Sequence, residues 1–185
     1  MLKISSSHFI AIRDHGEKSY PNEGAGLLLG RVEEQHKTVV DLLPLENQWQ
    51  EGEQERRYLI TPEMMMRAET EAAERGLDII GIFHSHPDHA EEPSIYDREW
   101  ALPWYSYIIT RVEDGRAILS RAWLLKADRS GFDEESIDIV YPVRQAGFLA
   151  RIRQWLKGLR QPRNFHINRS PQPTATTSLL SKETL

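Results

Sequence analysis

The chain has 185 residues, a formal net charge of −5 and no cysteine. That length holds one domain with a buried core and a tail, and 39% hydrophobic with 28% charged residues is the balance of a globular protein. The missing cysteine excludes disulfides, thiolate metal sites and a cysteine nucleophile, so any metal must be held by His, Asp, Glu or water, and the acidic balance argues against a nucleic-acid partner.

In chain order, the segment from Ile4 to Lys18 carries apolar residues at Ile4, Phe9, Ile10 and Ile12 behind a serine cap at 5–7, and predicts a short helix broken at Tyr20-Pro21-Asn22. Gly26 to Val32 is an apolar run beside glycines and predicts a buried strand, with Lys37 to Leu45 as its partner. Asn47 to Arg57 is polar and acidic and predicts a surface loop, and Tyr58-Leu59-Ile60 a short strand. Thr61 and Pro62 are an N-cap and first-turn pair for a helix that stops near Gly76. Leu77 to Phe83 is the most apolar strand candidate, followed by a polar loop, HSHPDHAEEP. Ser94 opens a helix carrying Asp97, Trp100, Ala101 and Leu102. Tyr105 to Val112 and Arg116 to Leu125 predict two strands about an Asp114-Gly115 turn.

Strands and helices mix without a strict βαβ repeat, which predicts an α/β sandwich on a mixed sheet. The expected domain boundaries are 1–126 for the catalytic domain, 127–160 for an extension with an amphipathic, purely basic helix from 143, and 161–185 for a disordered tail rich in Ser, Thr, Pro and Asn. No apolar run approaches the roughly 20 residues of a membrane span, and the first residues lack a signal-peptide core. The expected location is the cytoplasm.

The chemistry concentrates at Phe83-His84-Ser85-His86-Pro87. Side chains two apart on extended backbone point to one side, so His84 and His86 can reach one ion from the rim of the sheet. Asp97, in the first turn of a helix capped by Ser94, can point its carboxylate back toward them. Two imidazoles and a carboxylate suit Zn²⁺, with a fourth position left for water. A base is then needed for that water and an acid for the leaving group, and one carboxylate can serve as both. Glu23, among small residues before a buried strand, is the candidate, although spacing alone does not bring it to the metal. Ser94-x-x-Asp97 is equally a plain capping pattern.

Together, His-Ser-His, seven residues, Ser, two residues and Asp, with Glu23 upstream and a Gly-Leu-Leu-Leu-Gly strand after it, resemble the signature of the JAMM (MPN+) metalloproteases, compact bacterial and archaeal members most of all. The resemblance runs in outline from residue 4 to Leu125. It implies a cytidine-deaminase-like α/β/α sandwich, one Zn²⁺ per chain on His84, His86 and Asp97, and Glu23 as the proton shuttle. Ser94 is then a hydrogen-bond donor to the water or the developing oxyanion. It also implies hydrolysis of a peptide or isopeptide bond at the C-terminus of a ubiquitin-like or sulfur-carrier protein whose extended tail enters a groove. Ala25 stands where many bacterial relatives carry a cysteine.

Two other readings stay open at this level. A non-catalytic MPN-like scaffold would bind partners only, but such relatives have lost ligands that this chain keeps. A RadC-like protein shares a similar pattern, but this chain has Ser85 where that family resembles Asn, lacks a preceding helix-hairpin-helix region and is acidic. His89 reads as a solvated loop residue, Met64-Met65-Met66 as core packing of a helix, and Trp100 and Trp104 as core or groove lining.

Overall fold

A computed structural model describes residues 1–142 except 35 and 51. Eleven elements follow in chain order: β1 (Leu2–Ser5), α1 (Ser6–Ser19), β2 (Ala25–Glu33), β3 (His36–Leu45), α2 (Pro62–Glu74), β4 (Asp78–Pro87), α3 (Ile95–Trp100), β5 (Ser106–Glu113), β6 (Arg116–Leu125), β7 (Phe132–Glu135) and β8 (Ile137–Val140). The eight strands form one mixed sheet in the order β7-β6-β5-β4-β2-β3-β1-β8. β4 runs parallel to β5 and β1 runs parallel to both β3 and β8, while the other pairs are antiparallel.

Each face of the sheet buries its own apolar layer, which is the α/β/α arrangement. Alternation along β2 sends Leu27 and Leu29 to one face and Leu28 to the other. The first pair packs with Ala68 and Ala72 of α2 and with Ile79 and Ile82 of β4. Leu28 packs with Ile12 of α1 and with Ile80, Phe83 and Ile108. The central strands β2, β4 and β5 are buried nearly throughout, as strands covered on both faces must be. Two glycines let backbone and side chains interlock there. A Cβ on Gly26 would sit 2.3 Å from Phe83 Cζ and 2.7 Å from the Leu43 carbonyl oxygen, and one on Gly81 would sit 2.1 Å from the Ser106 carbonyl oxygen.

Four expectations are corrected. Residues 2–5 are a strand before the first helix, because Leu2 and Lys3 pair with β3, all four residues pair with β8, Leu2 and Ile4 are fully buried, and Ser5 becomes the N-cap. Tyr58 to Ile60 joins no ladder and instead crosses the α2 face, packing Tyr58 and Ile60 on the core. β4 does not stop at Phe83: pairing with β5 continues through His84, Ser85, His86 and Pro87, so the two histidines sit on regular strand. α3 ends at Trp100, before Ala101 and Leu102.

The sheet also continues past residue 126. β7 adds to β6, β8 adds to β1, and only Ser136 separates them in the chain. These two strands lie at opposite ends of the strand order, so the sheet curls until its two edges meet at Ser136, whose carbonyl accepts the Leu2 amide at 3.0 Å. Among the described residues, no helix is long and apolar enough to cross a membrane. The basic helix expected from 143 and the tail from 161 lie outside the described residues.

Candidate metal centre

β4 places the site. His84 and His86, two apart, project to the face of β4 that also carries Ile82, and both are buried, at 1% and 6% exposure. Asp97 reaches them from the first turn of α3. There Ser94 Oγ accepts the Asp97 amide at 3.1 Å and Asp97 Oδ2 accepts the Ser94 amide at 2.6 Å, a full capping box. The box fixes the Asp97 carboxylate over the strand end, with Oδ1 3.1 Å from His84 Nε2 and Oδ2 3.5 Å from His86 Nε2. The capping reading of Ser94 and Asp97 and their site reading therefore describe one arrangement: the cap uses an Oγ lone pair and leaves the hydroxyl hydrogen free to donate.

The donor set fits a small divalent cation. His84 Nε2 and His86 Nε2 face each other at 3.1 Å. His86 Nδ1 lies 2.6 Å from the Ala90 carbonyl oxygen, so the neutral ring carries its proton on Nδ1 and presents a lone pair at Nε2. Tetrahedral Zn²⁺ with bonds of about 2.0–2.2 Å sets its ligands roughly 3.3–3.6 Å apart, close to the separations of this triangle. Burial lowers the pKa of His84, with Asp97 opposing, and so favours the neutral ligand form. For Asp97, burial disfavours charge, but the two imidazoles outweigh it and hold the carboxyl well below the usual carboxylate range. The His84 ring stacks on Tyr58 at 4.6 Å between centroids, and His84 Nδ1 is buried without a partner.

Glu23 lies in the turn between α1 and β2. Its amide donates to the Gln54 carbonyl at 2.7 Å and its carbonyl accepts from Asn47 Nδ2 at 3.0 Å. The next residue, Gly24, is clamped by Ser85 twice: the Gly24 amide donates to Ser85 Oγ and the Ser85 amide donates to the Gly24 carbonyl, both at 2.9 Å. Ser85, between the two histidines but on the opposite face, thus ties the glutamate's turn to the ligand strand. Burial, partly offset by His86 and reinforced by Asp97, pushes the Glu23 carboxyl up to about 8.

Glu23, Ser94 and Asp97 all border one cavity of about 310 Å³, whose apolar wall includes Tyr58, Ile60, Met65 and Trp100. Trp49, Arg56 and Arg57 of the polar 47–57 segment also line it. Trp100 is groove lining, Met65 is core and Met66 is exposed; His89 is exposed. Sequence reasoning missed Asn47, Gln54, Tyr58 and the clamp by Ser85. Ser85 alone carried a signal, as the residue of the His-Ser-His run that must face the other side of the strand.

A cluster of three donors that could hold a metal, at the end of a central strand with a buried carboxylate beside it, defines a candidate metal centre on an α/β/α sandwich. Residues 5–126 match the family model described as prokaryotic homologs of the JAB domain. The chain belongs to that family, and its fold is the MPN type. It is 32% identical over 110 residues to a Thermus thermophilus protein named "Probable TtuB-protein conjugate cleaving protease", covering 58% of this chain and 68% of that one. It is similar to the solution structure of a Desulfitobacterium hafniense protein (28% identity, TM-score 0.68, covering 79% of this chain and 97% of that one). It is similar also to that of a Salinibacter ruber protein (39% identity, TM-score 0.59, covering 77% and 93%).

Proposed function

We propose that the protein is a zinc-dependent isopeptidase or peptidase that hydrolyses a bond at the C-terminus of a ubiquitin-like or sulfur-carrier protein. The observation that carries this reading is the buried triangle of His84 Nε2, His86 Nε2 and Asp97 carboxylate with Glu23 beside it on the same cavity. The name of the Thermus relative supports the choice of substrate class.

When bound, Zn²⁺ supplies Lewis acidity that polarises a carbonyl and acidifies a water. The chain's own groups do the rest. His84, His86 and Asp97 hold the ion. The Glu23 carboxylate takes a proton from the attacking water and passes it to the leaving amine; burial raises its proton affinity toward neutral, where one carboxyl can both accept and return a proton. The Ser94 hydroxyl donates to the carbonyl oxygen as it gains charge, a contact worth roughly 10²–10³ in rate elsewhere. The apolar wall excludes water from the bond and accommodates an extended chain end.

The test is elemental analysis of the full chain with its His86→Ala and Asp97→Ala variants, followed by cleavage of ubiquitin-like C-terminal fusions. About one zinc per chain, lost in both variants, with cleavage abolished by chelation, supports the reading. A protein that binds no zinc after reconstitution refutes it and favours a non-catalytic scaffold.

A further inference from the structure

The loop between β4 and α3 runs from Asp88 to Pro93 and is exposed apart from the half-buried Pro93 and one buried residue. Glu91 is buried, at 6% exposure. Its neighbour Ala90 supplies the carbonyl that meets His86 Nδ1.

A carboxylate leaves water only where partners compensate it. Glu91 Oε1 is 3.1 Å from Arg121 Nε, and the Glu91 carbonyl accepts Trp123 Nε1 at 2.9 Å. Both partners stand on β6, two places from β4 in the sheet. The other carboxylate oxygen, Oε2, is buried without a partner. An apolar side chain of similar size would fill this place with less desolvation penalty, so packing alone does not account for an acid here. The start of the loop is pinned separately. The Asp88 amide donates to the Val112 carbonyl at 2.8 Å, and its carboxylate accepts from Tyr20 Oη at 3.0 Å and the Asp114 amide at 3.2 Å. Asp88 and Glu91 thus anchor the chain on either side of Ala90, whose carbonyl meets His86.

We infer that Glu91 is a positioning residue for the metal centre: held by Arg121 and Trp123, it fixes the Ala90 carbonyl on His86 and so the tautomer and ring orientation that His86 offers to the ion. The inference rests on the reading of His84, His86 and Asp97 as metal ligands. Outer partners of this kind change metal affinity by roughly 10–100-fold when removed.

The experiment uses the full chain and its Glu91→Leu, Glu91→Gln and Trp123→Phe variants. Each is titrated with Zn²⁺ against a chromophoric chelator, each is melted after chelation, and Co²⁺ absorption reports the ligand field. Glu91→Leu removes the carboxylate that Arg121 holds and leaves the carbonyl that Trp123 holds, Trp123→Phe removes the N–H donor together with part of the ring, and Glu91→Gln keeps one acceptor for Arg121. The expected result is about 10–100-fold weaker Zn²⁺ binding in Glu91→Leu and a smaller loss in Trp123→Phe. Affinity is partly rescued in Glu91→Gln, the Co²⁺ spectrum is altered, and the metal-free melting temperature does not fall in Glu91→Leu. Glu91→Leu binding Zn²⁺ as tightly as the parent overturns the inference. So does an affinity loss matched by an equal loss of metal-free stability, which assigns Glu91 to the fold. A parent that binds no Zn²⁺ overturns the metal reading itself, and the parent's titration alone tells the two failures apart.

Discussion

Replacing Glu23 by Gln keeps the size of a side chain that is only 6% exposed and removes its ability to ionise. In the chelated protein, burial holds the Glu23 carboxyl up at about 8, against 4.5 for the free group. Between these values the folded chain keeps the proton and the unfolded chain has lost it, so unfolding releases a proton and rising pH favours the unfolded state. The stabilising contribution is complete below 4.5 and gone above about 8. Its slope is about 1.4 kcal/mol per pH unit, on the order of 5 kcal/mol across the window. Urea unfolding of parent and Glu23→Gln, both chelated and followed by tryptophan fluorescence from pH 5 to 9, should therefore diverge. The parent should lose stability relative to the variant up to about pH 8, and the two curves should run parallel beyond it. Histidines 84 and 86 and Asp97 are present in both proteins, so the difference reports Glu23 together with its coupling to His86. Curves parallel over the whole range would refute the buried, proton-holding Glu23. With zinc restored, the same variant should keep its metal and lose turnover.

Three further outcomes are expected. Ser85→Ala leaves the buried Gly24 amide without its acceptor and should cost about 1–3 kcal/mol while lowering kcat more than it raises KM, read from unfolding curves and steady-state kinetics. Gly26→Ala drives a Cβ into Phe83 and the Leu43 carbonyl; overpacking of that kind costs about 1–3 kcal/mol or more, visible as a lower melting temperature. Zn²⁺ should stabilise the chelated parent in a concentration-dependent way, by about 2.7 kcal/mol at a hundredfold excess over Kd, read as a higher melting temperature, and should not stabilise His86→Ala.

The candidate ligands were legible because their geometry is local. His84 and His86 share a face by strand periodicity, and Ser94 and Asp97 share a helix turn by capping, so sequence spacing stands for distance. The long apolar strands and both long helices were legible for the same reason. Tyr58 was not, because its extended backbone looks like a strand and only tertiary packing sends it across the α2 face onto His84. Asn47 and Gln54 were hidden in a polar stretch whose hydrogen bonds to Glu23 span 24 and 31 residues. β7 and β8 are four residues each and carry acidic or alternating side chains, too short for a periodicity to show; they form because β6 and β1 offer open edges.

The meeting of the sheet's two edges at Ser136 has a bearing on how the chain is made. Leu2 and Ile4 find their β8 partners, Ile137 and Ile139, about 135 residues later. A nascent chain emerging from the ribosome can form the β2–β3 hairpin and the helices early, but its first strand must wait for one of the last. Contacts so distant in sequence slow folding because closure entropy precedes their reward. The candidate metal ligands, all between positions 84 and 97, are synthesised well before that closure, so the site's components exist before the shell that finally fixes the ends of the sheet.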